Sequence, residues 1–203
     1  MLERIVEKAS GESFTELMRR RILEPLQLTS AVYDPEKNPA TVKNFTHAYH
    51  YDPITNKVED VSNFSLSAAR AAGAIIATTE DLAKWVRALF SGKVLAPAEF
   101  ARMTKVVCMQ PEENCQAGET APALSKVPGY SCGLMRFSGY EVKAPTNNFI
   151  WAHTGGSAGH DSIFIYDVKN NFVLAAMQNL TGSGNLVSLA REIDLSIFPE
   201  ETR

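Results

Sequence analysis

The stretch Trp151-Ala152-His153-Thr154-Gly155-Gly156-Ser157-Ala158-Gly159-His160 concentrates most of what this sequence offers for chemistry. It sets a hydroxyl beside two adjacent glycines and a third shortly after, between two of the chain's four histidines. Glycines in a strand let a ligand or a second backbone come close, and free N–H groups there can hold an anion or a developing oxyanion. The plain structural alternative is a glycine-rich hairpin end with a surface histidine. The residues taken alone leave both open.

Two other sets of residues invite a chemical reading. His47 and His50 stand three apart in an aromatic segment, Asn44 to Tyr51, and a metal hydrolase would recruit them with His153 and His160. No acidic or histidine motif of the zinc-protease kind accompanies them, so structural histidines on a strand are expected, with no metal and no cofactor. Cys108, Cys115 and Cys132 lack zinc-type spacing. Cys108 and Cys115 bracket a polar loop, Met109 to Asn114. A disulfide formed in an oxidising compartment and three free thiols both suit that pattern.

Composition narrows the field. The chain has 203 residues, 45% of them hydrophobic and 21% charged, which suits one folded domain and excludes a mainly disordered chain. With 20 Lys and Arg against 23 Asp and Glu, it lacks the basic surplus that a nucleic-acid partner demands. Arg19-Arg20-Arg21 falls within a helical pattern and reads as a solvated helix face. No stretch approaches the roughly 18 to 20 continuous apolar residues of a membrane-spanning helix. Met1-Leu2-Glu3-Arg4 opens directly into an amphipathic pattern, unlike a signal peptide.

The elements that must position these residues can be read from spacing. Leu2, Ile5, Val6 and Ala9 recur at helical intervals, and Gly11 follows as a stop. Ser13 and Glu16 form a capping box that opens a second helix, ended by Pro25. Tyr51 to Asn56 is a turn between two short strands. Thr78 or Thr79 caps a third helix with a buried stripe of Leu82, Trp85, Val86 and Leu89, closed by Gly92. Pro97 starts a short helix, and Glu112 to Lys126 is a polar loop.

From Tyr130 the period becomes two. Tyr130 to Phe137 reads as a strand, turned at Ser138-Gly139 into Tyr140-Glu141-Val142. Phe149 to Ala152 is a short strand running into His153, and Asp161–Tyr166 and Phe172–Met177 form a hairpin. The last of these is apolar on both faces, which predicts a central place in a covered sheet. A C-terminal helix carries Leu186, Leu189, Ala190, Ile193 and Ile197 on one side. The expected architecture is α+β, an antiparallel sheet flanked by helices: a single partial domain over 1–203, mainly helix and loop over 1–128, strands plus a final helix over 129–203.

At this point the chain, from about residue 2 to 198, resembles the C-terminal part of a serine β-lactamase-like hydrolase, the group of class C β-lactamases, DD-carboxypeptidases and related esterases. His153-Thr154-Gly155 matches that group's third active-site motif in its His form, on the edge strand beside the nucleophile, and Gly156 to Gly159 fits its sequel. Gly11-Glu12-Ser13-Phe14 with Ile22 to Leu26 resembles the stretch after the second motif, Ala72-Gly73 through Leu82 its glycine turn and helix, and Tyr130-Ser131-Cys132-Gly133-Leu134 the segment before the third motif. The resemblance implies that His153 helps orient a substrate carboxylate or carbonyl, that Thr154 contacts the same group beside Gly155, and that the Gly156 N–H donates to an oxyanion. A β-lactamase/transpeptidase-like fold, incomplete at the N-terminus, follows from it.

The departures from that pattern are as informative. No Ser in the chain has Lys three residues on, and the Tyr/Ser-x-Asn motif is missing from its place upstream of Leu2; Ser183-Gly184-Asn185 has the letters but reads as a helix cap. The expectation is a portion of an acyl-enzyme hydrolase of β-lactams, D-Ala-D-Ala peptides or esters, inactive alone. The alternative is a non-catalytic module binding a peptidoglycan peptide or a protein through the Gly155-Gly156 edge strand. Expected partners are a small-molecule or peptide substrate and a second copy joined through an exposed sheet edge, with apolar surface left uncovered. A periplasmic or secreted setting is the family habit.

Overall fold

Helix ends come where the side chains put them. Ser13 Oγ accepts the Glu16 N–H at 3.2 Å, Thr78 Oγ1 accepts the Asp81 N–H at 3.3 Å, and Gly92, at φ +75°, closes the helix before it. The computed structural model describes residues 1–108, 120, 129–138 and 149–198. In chain order the elements are α1 (Leu2–Ser10), α2 (Phe14–Met18) with a π-helical turn over Arg19–Leu23, β1 (Val32–Tyr33), β2 (Tyr49–Asp52), β3 (Lys57–Asp60), β4 (Ile75–Ile76), α3 (Thr79–Phe90) and α4 (Pro97–Met103). There follow β5 (Val107–Cys108), β6 (Gly129–Tyr130), β7 (Met135–Ser138), β8 (Phe149–Gly156), β9 (Asp161–Asp167), β10 (Phe172–Gln178), β11 (Leu180–Thr181) and α5 (Leu186–Ile197). This is the α+β arrangement expected.

The chain divides into two compact units, each built from three separate segments. The first comprises Met1–Trp85, Gly155–Ser162 and Met177–Leu186. Within it β2 and β3 form the predicted hairpin, with Tyr49 opposite Asp60 and Asp52 opposite Lys57. The Asp52 carboxylate takes the Ile54 N–H at 2.8 Å and the Thr55 hydroxyl at 2.7 Å, and Asn56 at φ +53° finishes the turn. β11 joins the other side of β2 in parallel.

Glu3, 5% exposed, pins α1 into this unit. Its carboxylate accepts the Tyr33 hydroxyl at 3.0 Å, Arg70 Nη2 at 2.7 Å and the Ala71 N–H at 3.1 Å. The apolar stripe of the same helix faces outward, with Leu2, Ile5 and Val6 all exposed. Asp81, also buried, accepts the N–H and the hydroxyl of Ser30, both at 2.7 Å.

Two carboxylates here make a measurable prediction. The Arg70 hydrogen bonds hold Glu3 below its ordinary value of 4.5. The Ser62 hydroxyl, then His47, pull Asp60 down to about 2. A carboxyl depressed in the folded state contributes stability above its unfolded pKa and loses it as pH falls through the folded one. The thermal midpoint is therefore expected to drop as pH goes from 4.5 towards 2, and to drop less in Glu3→Gln/Asp60→Asn. Parallel curves for the two proteins would refute the assignment.

The second unit comprises Val86–Thr154, Ile163–Ala176 and Val187–Arg203. Phe90 at the end of α3 stacks on Tyr166 at 4.2 Å and meets Phe100 edge-on at 5.8 Å. In α5 only Leu186, Ala190 and Asp194 are buried, while Leu189, Ile193 and Ile197 are exposed, so the predicted stripe splits between two faces.

The main sheet has six strands in the order β10-β9-β8-β7-β6-β5. It corrects three expectations. The run from Tyr130 to Phe137 is a hairpin, because Gly133 at φ +80° and the Ser131 N–H to Leu134 carbonyl bond (2.8 Å) reverse the chain between β6 and β7. The strand Phe172–Met177, β10, is the last strand of the sheet among the described residues and buries only Leu174; β9 is the strand covered on both faces, with Ile163, Phe164 and Ile165 buried in a row. The strand that carries His153 is not an edge strand, since β8 lies between β7 and β9. Of the polar loop expected over 112–126 only Thr120, bridged to Val107, is described; the strand 140–142 and Cys115 lie outside the described residues.

Candidate active site

β8 changes character halfway. Its first half pairs with β7, Phe149 opposite Ser138 and Ala152 opposite Met135. Ile150 and Ala152 are buried, and Trp151 packs against Val106 and Cys108. That register ends at Ala152 because β7 begins only at Met135, after the Gly133 turn. His153 to Gly156 therefore run on past β7. Of these, His153 is half-buried while Thr154, Gly155 and Gly156 are exposed.

The His153 ring is engaged at both nitrogens. Nδ1 lies 2.6 Å from the Thr154 carbonyl oxygen and Nε2 lies 3.1 Å from the Tyr130 hydroxyl. The two rings meet edge to face at 5.9 Å. Tyr130 was visible in the sequence as the start of a strand and of the block that resembles the segment before the third motif, with no role at His153; that contact depends on the hairpin turn, whose one local signal was Gly133.

The glycines differ in what they make room for. A Cβ on Gly155 would stand 2.6 Å from the Ser162 hydroxyl, and one on Gly156 would meet only the Asp161 carboxylate tip, at 3.1 Å. Gly159 is a packing residue: a Cβ there would lie 2.7 Å from both Ala48 Cβ and the Tyr49 nitrogen. The turn between β8 and β9 is closed by the Ser157 N–H to His160 carbonyl bond at 2.8 Å.

The other histidines each have a partner of their own. His47 Nδ1 pairs with Asp60 at 2.8 Å, His50 Nδ1 contacts Thr181 Oγ1 at 3.1 Å, and His160 Nε2 reaches the Thr46 carbonyl at 3.1 Å. Burial holds the His160 imidazole below its ordinary value, against the pull of that carbonyl. Ser62, His47 and Asp60 form no catalytic triad, since the Ser62 hydroxyl bonds Asp60 and accepts the Ala48 N–H rather than meeting the imidazole. Among the described residues no three His, Cys, Asp or Glu side chains come together as a metal site. Cys108 is disulfide-bonded and Cys132 is a free, exposed thiol. Among the described residues no helix is long and apolar enough to cross a membrane.

Comparison with known proteins decides the affiliation. The Beta-lactamase family model matches residues 1–197. The chain belongs to the Beta-lactamase family. A D-stereospecific amidohydrolase from Streptomyces sp. superposes with a TM-score of 0.75 at 26% identity, over 97% of this chain and 52% of that one. A penicillin-binding protein homologue from Pyrococcus abyssi shares the fold at the same TM-score, 0.75, and 18% identity, over 97% of this chain and 40% of that one. An unguisins hydrolase from Aspergillus campestris is 24% identical over 188 residues, 92% of this chain and 33% of its own. This member of the family thus spans about half the length of the amidohydrolase and a third of the curated relative.

Proposed function

We propose that the chain is the C-terminal portion of a serine hydrolase that works through an acyl-enzyme, with β8 flanking the substrate. One observation carries the proposal: His153-Thr154-Gly155 falls in the part of β8 that runs on past β7. An acyl substrate lying along this segment meets the Thr154 hydroxyl and the His153 ring at its carboxylate or carbonyl. The Gly156 N–H donates to the oxyanion as the tetrahedral intermediate forms, a contact whose removal typically costs about 100- to 1,000-fold in turnover. Candidate substrates are D-residue amides and D-Ala-D-Ala peptides, β-lactams and esters; likeness to the D-stereospecific amidohydrolase favours the amides and peptides.

The nucleophile is the part this sequence does not supply. None of its serines has Lys three residues on, and an oxyanion hole alone does no acyl transfer. The isolated chain is accordingly proposed to be inactive, and a periplasmic or secreted setting suits the disulfide at Cys108. Intact-mass spectra before and after a fluorophosphonate and, separately, a penicillin test this. The expected result is no adduct with either reagent. A stoichiometric adduct on one serine would identify a nucleophile and overturn the proposal.

A further inference from the structure

The contacts of the His153 ring settle more than its position. The Thr154 carbonyl oxygen can only accept, so Nδ1, 2.6 Å away, carries the proton. In a neutral imidazole the other nitrogen is then a bare acceptor, and Nε2 faces the Tyr130 hydroxyl at 3.1 Å. The hydroxyl is the donor of that pair. β6 and the Gly133 turn bring it there.

We propose that Tyr130 is the positioning residue of His153, its hydroxyl occupying Nε2 while the Thr154 carbonyl fixes the Nδ1–H tautomer. The assignment rests on β8 being the substrate strand. It has a chemical consequence. A lysine at this motif position presents a cation, whereas neutral His153, held in this way, has its donor and its lone pair both engaged within the protein. A substrate carbonyl or carboxylate arriving at β8 then meets the Thr154 hydroxyl in place of an ammonium. A direct hydrogen bond from the imidazole to it requires a proton on Nε2 and the Tyr130 hydroxyl moved aside.

Long-range proton–nitrogen correlation spectra of the chain, with 15N-labelled histidine, test this at about pH 8.5, above the usual imidazole range. His153→Ala identifies the resonances by their loss. The wild-type chain is expected to give a protonated Nδ1 and an unprotonated Nε2 on His153. Tyr130→Phe keeps the ring that packs against the imidazole and removes only the hydroxyl, so Nε2 is expected to shift downfield toward an unbonded imine nitrogen while Nδ1–H persists. An Nε2–H tautomer in the wild-type chain overturns the proposal without any variant, and so does an Nε2 resonance unmoved in Tyr130→Phe. Packing alone would leave that resonance in place. Adduct formation by a serine bears on the acyl-enzyme reading and leaves the tautomer result untouched, so failures of the two are separable.

Discussion

Acylation is expected to fall at least about tenfold when His153 is replaced by Ala in a longer chain that carries a Ser-x-x-Lys pair ahead of these residues. The ring is in place before substrate arrives, held by the Thr154 carbonyl and the Tyr130 hydroxyl, so only the Tyr130 hydroxyl has to move for the imidazole to engage substrate. A hydrogen bond to a charged group contributes about 1.5–3 kcal/mol, and about 1.4 kcal/mol is a factor of ten in rate. Thr154 and the Gly156 N–H remain in the variant, which keeps the loss well short of complete. Single-turnover acylation read against the variant's melting curve separates chemistry from folding. An unchanged rate would remove His153 from the site.

The second large effect concerns stability and falls at Gly159. Valine at this position is expected to cost about 1–3 kcal/mol, a substantial part of the roughly 5–15 kcal/mol that holds a domain together. The obstruction is part side chain, with Val61 Cγ2 at 2.6 Å, and part backbone. The Tyr49 nitrogen that a Cβ would approach to 2.7 Å already donates to the Asn179 carbonyl at 3.0 Å, and the Val61 N–H to Ala48 carbonyl bond, 2.8 Å, fixes the other side. Gly156→Ala is the natural contrast, since its new methyl meets only the tip of Asp161. Urea unfolding midpoints compare the two. Equal midpoints would mean that the β8–β9 turn yields where the packing says it cannot.

What the sequence disclosed and what it withheld divide along one line. Signals that act within a few residues were legible: the Ser13 and Thr78 caps, the Asp52-to-Asn56 turn and the Gly92 stop each produced the expected element. His153-Thr154-Gly155 stood out through its resemblance to the family's third motif, whereas the residues alone left its role open. Signals that depend on neighbours were not legible. The apolar run Phe172–Met177 has the composition of a central strand yet is the last strand of the sheet among the described residues, since strand order is a property of the whole topology. Helical periodicity found α1 but could not say that Glu3, rather than Leu2 or Ile5, would be the buried residue. At the site, Tyr130 and His153 are 23 residues apart in sequence, and only the turn at Gly133 makes them partners.

The interleaved make-up of the two units has a consequence for biosynthesis. The first unit ends at Leu186, and β11, its last strand, pairs with β2, whose His50 bonds Thr181 from 131 positions earlier. The helices and the β2–β3 hairpin thus leave the ribosome long before the strand that completes their sheet. Loop closure over such separations is slow, and the growing chain carries unmet apolar surface throughout. That nascent stretch must be shielded from its neighbours until β11 arrives.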